Sequence, residues 1–181
     1  MIYTRGIQAQ RAILETVLIP SDNTTWDNVA TTATVGVGTI VKSSGTNAWG
    51  NCGASFESIP SSTAGALYME YTSTSSTIWN GIFGLSESDP DYNYTSIKFG
   101  MYPYFDGRIF IFENGSSAHS ANYGFDVDND NCEVKRDASG NITYYHNGTL
   151  IYTSSLTSTA ELIFDCSIFR NIGAKELKIT Y

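Results

Sequence analysis

An all-β fold, a sandwich or jelly roll of two antiparallel sheets, is what this sequence predicts. Segments alternating apolar and polar residues, rich in β-branched and aromatic types, recur from residue 33 to the end. Hairpin turn residues punctuate them at short spacing, as in β-sandwiches. Only one stretch, residues 5–18, has a composition that suits a helix.

Taken in order, residues 1–20 read as a lead-in: a short turn or helix, then a strand near Thr16–Ile19. Ile7, Leu14 and Leu18 roughly share a face there, so the segment is a candidate for packing in an oligomer. Residues 21–181 read as one sandwich domain. Strands are expected over Ala33–Val41, Ala66–Thr72, Ser96–Tyr102 and Arg108–Glu113. More follow over Asn141–Tyr145, Thr149–Thr153, Leu162–Phe169 and Glu176–Tyr181. Asn147-Gly148, between two of these, is the strongest turn signal, because a type I′ turn needs φ > 0 at both central residues. Asp137–Asn141 and Asp106-Gly107 read as further hairpin loops.

The chain has 181 residues, a length that fits one domain. With 10 Lys+Arg against 18 Asp+Glu, its net charge is −8, which excludes the basic footprint of a nucleic-acid binder. Charged residues are only 15 %, and 21 Ser and 20 Thr fill the gap, a composition that suits an outward-facing fibre protein. No apolar run approaches the ~18 residues of a membrane span, so membrane insertion is not expected. The N-terminus has no signal-peptide pattern. Cys52, Cys132 and Cys166 are odd in number and widely spaced, so buried free thiols are expected rather than a zinc site.

One ordered set of segments is informative. Trp49–Ser55 comes first, then the strand at Gly65–Tyr71, then Gly81–Ser86, Phe112–Gly115 and Tyr123–Asp126. A final block runs from Val134 to Ser154. This order resembles the concanavalin A-like lectin/glucanase, or laminin-G-like, sandwich domains, most of all those of phage tail-fibre tips and bacterial adhesins. The resemblance covers roughly residues 45–181 and implies a concanavalin A-like jelly roll. It implies recognition of a cell-surface glycan or receptor, on a virion fibre or an extracellular surface, by a homo-oligomer that is commonly a trimer. Gly84, Asn147 and Gly148 within it read as turn and packing residues, and Trp49 as a core residue.

The chemistry is then read residue by residue. Sugar binding needs aromatic faces for the C–H side of a pyranose and polar groups for its hydroxyls. Trp79, Asn80, Tyr92, Tyr102, Tyr104, Asp106 and Arg108 are the candidate contacts, in or beside predicted turns and loops. No cofactor is required. Asp126, Asp128 and Asp130 alternate in a way that could ligate calcium, although the glycine and distal Glu of an EF-hand are missing. Catalysis is not expected. The Glu-x-Asp-x-x-Glu string carried by hydrolases of this fold is absent, and Glu87–Asp91 reads as an acidic loop. No Gly-x-Ser-x-Gly elbow exists, and His119 and His146 read as surface residues. The expectation is a non-catalytic glycan-recognition module. A structural virion or surface protein whose aromatic loops are subunit contacts is the alternative, and a glycan hydrolase the second.

Overall fold

The computed structural model of the chain describes residues 16–18, 26–27, 33–36, 38–42, 47–50, 54–73 and 78–181. Among these residues there is no helix, and none forms a segment able to cross a membrane as a helix. The strands are β1 (Thr16–Leu18), β2 (Trp26–Asp27), β3 (Ala33–Gly36), β4 (Thr39–Lys42) and β5 (Ala54–Ile59). Then come β6 (Gly65–Ser73), β7 (Asn80–Ser86), β8 (Phe99–Pro103), β9 (Arg108–Glu113) and β10 (Ser116–Asn122). The last are β11 (Asn131–Arg136), β12 (Asn141–His146), β13 (Thr149–Thr157), β14 (Leu162–Arg170) and β15 (Ile172–Thr180).

They make two antiparallel sheets. An eight-stranded sheet runs β13-β12-β11-β6-β15-β4-β3, with β1 also paired to β15. A seven-stranded sheet runs β10-β9-β8-β7-β14-β5-β2. Neighbours distant in sequence, such as β6 with β15 and β7 with β14, are the crossovers of a jelly roll. The core lies between the sheets, because period-2 alternation turns one set of side chains inward. In β9, Ile109 and Ile111 are buried in it, whereas Phe110 and Phe112 point the other way and are only half-buried. Tyr71 of β6 meets Phe83 of β7 edge-on at 5.4 Å across the two layers. Tyr144 of β12 donates to the buried Glu113 of β9 at 3.0 Å, joining the sheets by a polar contact as well. Each fully buried large aliphatic or aromatic side chain contributes about 1.5–3 kcal/mol. Arg136 is also buried; its guanidinium donates to the carbonyls of Pro60, Thr63 and Ala160 and pins two turns at one end of the sandwich.

The turn at Asn147-Gly148 has φ of 48° and 74°, as a type I′ hairpin requires. Asn147 also accepts from the Asn131 amide at 3.0 Å and donates to Asp130 at 2.7 Å. Replacing it by alanine removes both bonds and leaves a Cβ in the left-handed region. The Asn147→Ala variant is therefore expected to lose about 1–2 kcal/mol in a urea melt.

The structure departs from the sequence reading in several places. Residues 1–15 of the predicted lead-in lie outside the described residues, while Thr16–Leu18 is a strand paired with the C-terminal β15. β8 begins at Phe99 rather than Ser96, because residues 94–96 turn and the Ser96 amide bonds the Asn93 carbonyl. β10 carries no apolar periodicity and was not expected; it is an edge strand held by its ladder to β9. Cys132 and Cys166 are both buried, and burial pushes the Cys132 thiol up to about 12, so it is no nucleophile. Cys52 lies outside the described residues.

Both histidines depart from the surface placement. His119 shares a hydrogen bond with the Tyr123 hydroxyl at 2.8 Å and stacks on Tyr152. His146 pairs with Asp130 at 2.8 Å, with its side chain only 11 % exposed. These contacts close the sandwich where the edge strands β10 and β13 meet.

Candidate functional site

The outer face of the seven-stranded sheet carries most of the candidate residues. Alternation turns Asn80, Ile82 and Ser86 of β7, Tyr102 of β8, and Arg108, Phe110 and Phe112 of β9 away from the core. The middle of this face is not open to solvent. The segment between β7 and β8 crosses it, and Ser167 of β14 donates to the Tyr92 carbonyl at 2.9 Å. The Gly50 amide reaches the same hydroxyl at 3.4 Å. Trp49 sits here, half-buried, 5.0 Å from Tyr94, 5.9 Å from Tyr102 and 5.4 Å from Phe169. Its expected place in the core is thus corrected: it packs in a second layer outside the sheet.

Beyond the covered centre, the aromatic rings continue toward one end. Tyr102 and Tyr104 meet edge-on at 5.5 Å, and Tyr104 and Phe105 lie 4.4 Å apart. Phe105 is 41 % exposed. The Arg108 guanidinium lies over Tyr104 and Phe110, 5.5 and 4.9 Å from their ring centres. The turn Asp106-Gly107 makes this local cluster, because Gly107 takes φ of 87° and Asp106 folds back onto Arg108. Asp106 accepts from Arg108 Nε at 2.8 Å and pairs with Nη2 at 2.7 Å. The guanidinium beside it holds the Asp106 carboxyl below the usual range. Burial raises the Tyr102 hydroxyl well above its ordinary value, so it stays a neutral donor.

Four of the predicted contacts, Tyr102, Tyr104, Asp106 and Arg108, are therefore neighbours. Asn80 joins them through a β-bridge to Tyr104. Tyr92 lies apart, on the covering segment, and is 39 % exposed. Trp79 is corrected: at 3 % exposure it packs edge-on against Phe125 in the core, 5.6 Å away, and its faces are closed to a ligand.

The sequence reading missed an acidic pocket beneath the covering segment. Asp165 of β14 is 1 % exposed, and Ser86 donates to its Oδ2 at 2.7 Å, while Oδ1 has no hydrogen-bond donor. Burial, with Asp89 and Asp91 of the segment adding like charge, pushes it from 3.8 to about 7. Asp165 read as one polar residue within an apolar strand, and only the register that sets it under the segment reveals it.

The candidate calcium ligands do not form a cage. Asp126 accepts from the Asp128 amide and from Asn129 Nδ2. Asp130 accepts from the Asp126 amide, His146 and Asn147. Their oxygens are spent on the loop's own fold, and among the described residues no three His, Cys, Asp or Glu converge on a metal position. Asp126, Asp128 and Asp130, weak candidates for calcium in the sequence, are seen instead in a loop that binds its own backbone and side chains.

A groove of about 530 Å³ lies on the other sheet, lined by Glu133, Lys135, Thr143 and Tyr145 among others. Its charged groups are already engaged. Lys135 pairs with Glu133 at 2.9 Å and lies over Tyr145, and Asp137 accepts from its own turn. It is less suited to recognition than the aromatic end.

No protein-family model and no curated protein sequence matches the chain. Solved structures do. The carbohydrate recognition domain of Emp47p superposes with a TM-score of 0.61 at 10 % identity, covering 96 % of this chain and 99 % of that one. The exoplasmic/lumenal domain of VIP36 in its Ca2+/Man3GlcNAc-bound form gives 0.60 at 8 % identity, covering 93 % and 89 %. A native glycosidic hydrolase gives 0.54 at 10 % identity, covering 93 % and 95 %. At such identities the likeness speaks for the fold alone. The chain has the concanavalin A-like lectin/glucanase sandwich fold.

Proposed function

We propose that this chain is a non-catalytic recognition module of a fibre tip or adhesin, binding cell-surface glycans at the aromatic end of its seven-stranded sheet. The observation that supports it is the run of Tyr102, Tyr104 and exposed Phe105 beside the Asp106–Arg108 pair. A pyranose lays its C–H face on such rings and directs its hydroxyls to the flanking acid, amide and guanidinium. That lectin domains share the fold adds weight. Hydrolysis fits less well. It needs two carboxyl groups facing each other across a bond, whereas Asp165 is buried and Asp89 and Asp91 belong to the segment that covers it. Threefold assembly, with the apolar positions of residues 7–18 at the axis, belongs to the same reading.

A glycan array, probed with and without calcium, tests it. Selective binding is expected, weakened at least about tenfold by Tyr104→Ala, since a central aromatic usually dominates such a site. A folded protein that binds nothing on the array would transfer the reading to a structural role. Calcium dependence would bring the Asp126–Asp130 loop back into play.

A further inference from the structure

Strand register sets four outward side chains in one row across β14, β7, β8 and β9. Arg170 is the partner of Asn80, Asn80 bridges Tyr104, and the Tyr104 amide donates to the Arg108 carbonyl at 2.8 Å. Three strand spacings separate the ends, about 14 Å, a span that suits an oligosaccharide.

The two arginines of the row differ in state. Arg108 is neutralised by Asp106. Arg170 pairs with no carboxylate among the described residues; it lies over the Phe169 ring, 5.8 Å from its centre, and its Nε is buried without an acceptor. Beside it, the Asn80 Oδ1 is buried without a donor. Register thus sets side by side two polar residues whose hydrogen-bonding capacity the fold does not use up.

We propose that the glycan bound here carries a carboxylate, and that Arg170 is its specific partner. The step rests on the glycan-binding reading above. A guanidinium edge matches a carboxylate's two oxygens, the sugar's neighbouring polar groups lie beside Asn80, and the ring lies on Tyr104. A neutral sugar could serve Asn80 and Tyr104 but would leave the Arg170 charge unmet. The chain's net charge of −8 opposes an acidic ligand only weakly at this range, because salt screens exposed charges beyond about 8–10 Å.

The test uses the full chain on an array of uronate-bearing, sialylated, sulfated and neutral glycans. The strongest carboxylated ligand is then titrated beside its carboxyl-reduced counterpart. Carboxylated glycans are expected to bind best, carboxyl reduction to weaken binding about tenfold or more, and Arg170→Gln to remove that difference. Arg170→Lys keeps the charge without the fork and is expected to fall between. Thermal melts of both variants separate lost binding from lost folding. Equal binding of the reduced ligand, a preference for sulfated glycans alone, or full binding by a folded Arg170→Gln would each overturn the proposal. If neutral glycans bind and only Tyr104→Ala abolishes it, the glycan-binding reading survives without this step. Binding to no glycan at all overturns both.

Discussion

Asp165→Asn is expected to stabilise the protein at pH 8 by up to about 4 kcal/mol, and to change little near pH 4. Asp165 is 1 % exposed beneath the segment that covers β14. One oxygen takes the Ser86 hydroxyl at 2.7 Å and the other has no donor. Burial first, and then the like charges of Asp89 and Asp91, push its carboxyl from 3.8 to about 7. The sign follows from linkage. Between those two values the folded chain binds more protons than the unfolded one, so stability falls as pH rises through the window. Above it the whole penalty of a buried carboxylate is present. Asparagine carries no charge, keeps an oxygen for Ser86, and removes the penalty. Urea unfolding of both proteins across the window measures the effect directly. Wild type should lose stability with rising pH relative to the variant, and parallel curves would show that Asp165 does not titrate in this range. An acid that destabilises the fold at neutral pH lies on the face that carries the candidate site, where such residues concentrate.

What the sequence made legible follows from how local each signal is. The Asn147-Gly148 turn needs two residues of positive φ, and the sequence supplies both where the structure uses them. β9 reads plainly because Ile109 and Ile111 face the core while Phe110 and Phe112 face outward. Tyr102, Tyr104, Asp106 and Arg108 read as one cluster because a single hairpin carries them. By contrast, Ser116–Asn122 has no apolar face, because an edge strand needs only a backbone ladder. Trp79 and Trp49 exchanged places for a physical reason. Composition tells which residues avoid water but not that the outer face of one sheet acquires a second covering layer. Asn80 was legible from its place beside a turn, but Arg170 and Asp165 were not, since only strand register sets them against β7 from a distant part of the chain.

Gly84→Ala is expected to do the greatest damage of any methyl added at the described glycines, destabilising the chain by more than about 4 kcal/mol or preventing folding. In the ladder Gly84 faces Gly100 on one side and Asp165 on the other. A Cβ there would lie 2.0 Å from the Phe99 carbonyl oxygen and 2.8 Å from the Gly100 Cα. Both are backbone atoms, so no rotamer change relieves the overlap, and β7 and β8 would have to separate. Gly148→Ala supplies the contrast. Nothing lies within 4 Å of its Cβ position, but its φ is +74°, and the strain there is about 1–2 kcal/mol. Expression, circular dichroism and urea melts of the two variants distinguish the cases. Comparable, mild effects would mean that the strand pair tolerates a methyl at Gly84 by sliding. A severe loss confined to Gly84 would mean that the approach of β7 to β8 is fixed. Gly100 extends the point to the site. A Cβ there would press on Ile82 and on Ile97 of the covering segment, at 2.7 and 3.2 Å. The two glycines hold the central strands close and leave room for that segment to lie across them. The covering layer in turn holds Trp49 against both Tyr94 and Tyr102 and anchors the rings that lead to Tyr104, so the binding proposed there would depend on glycines that touch no ligand.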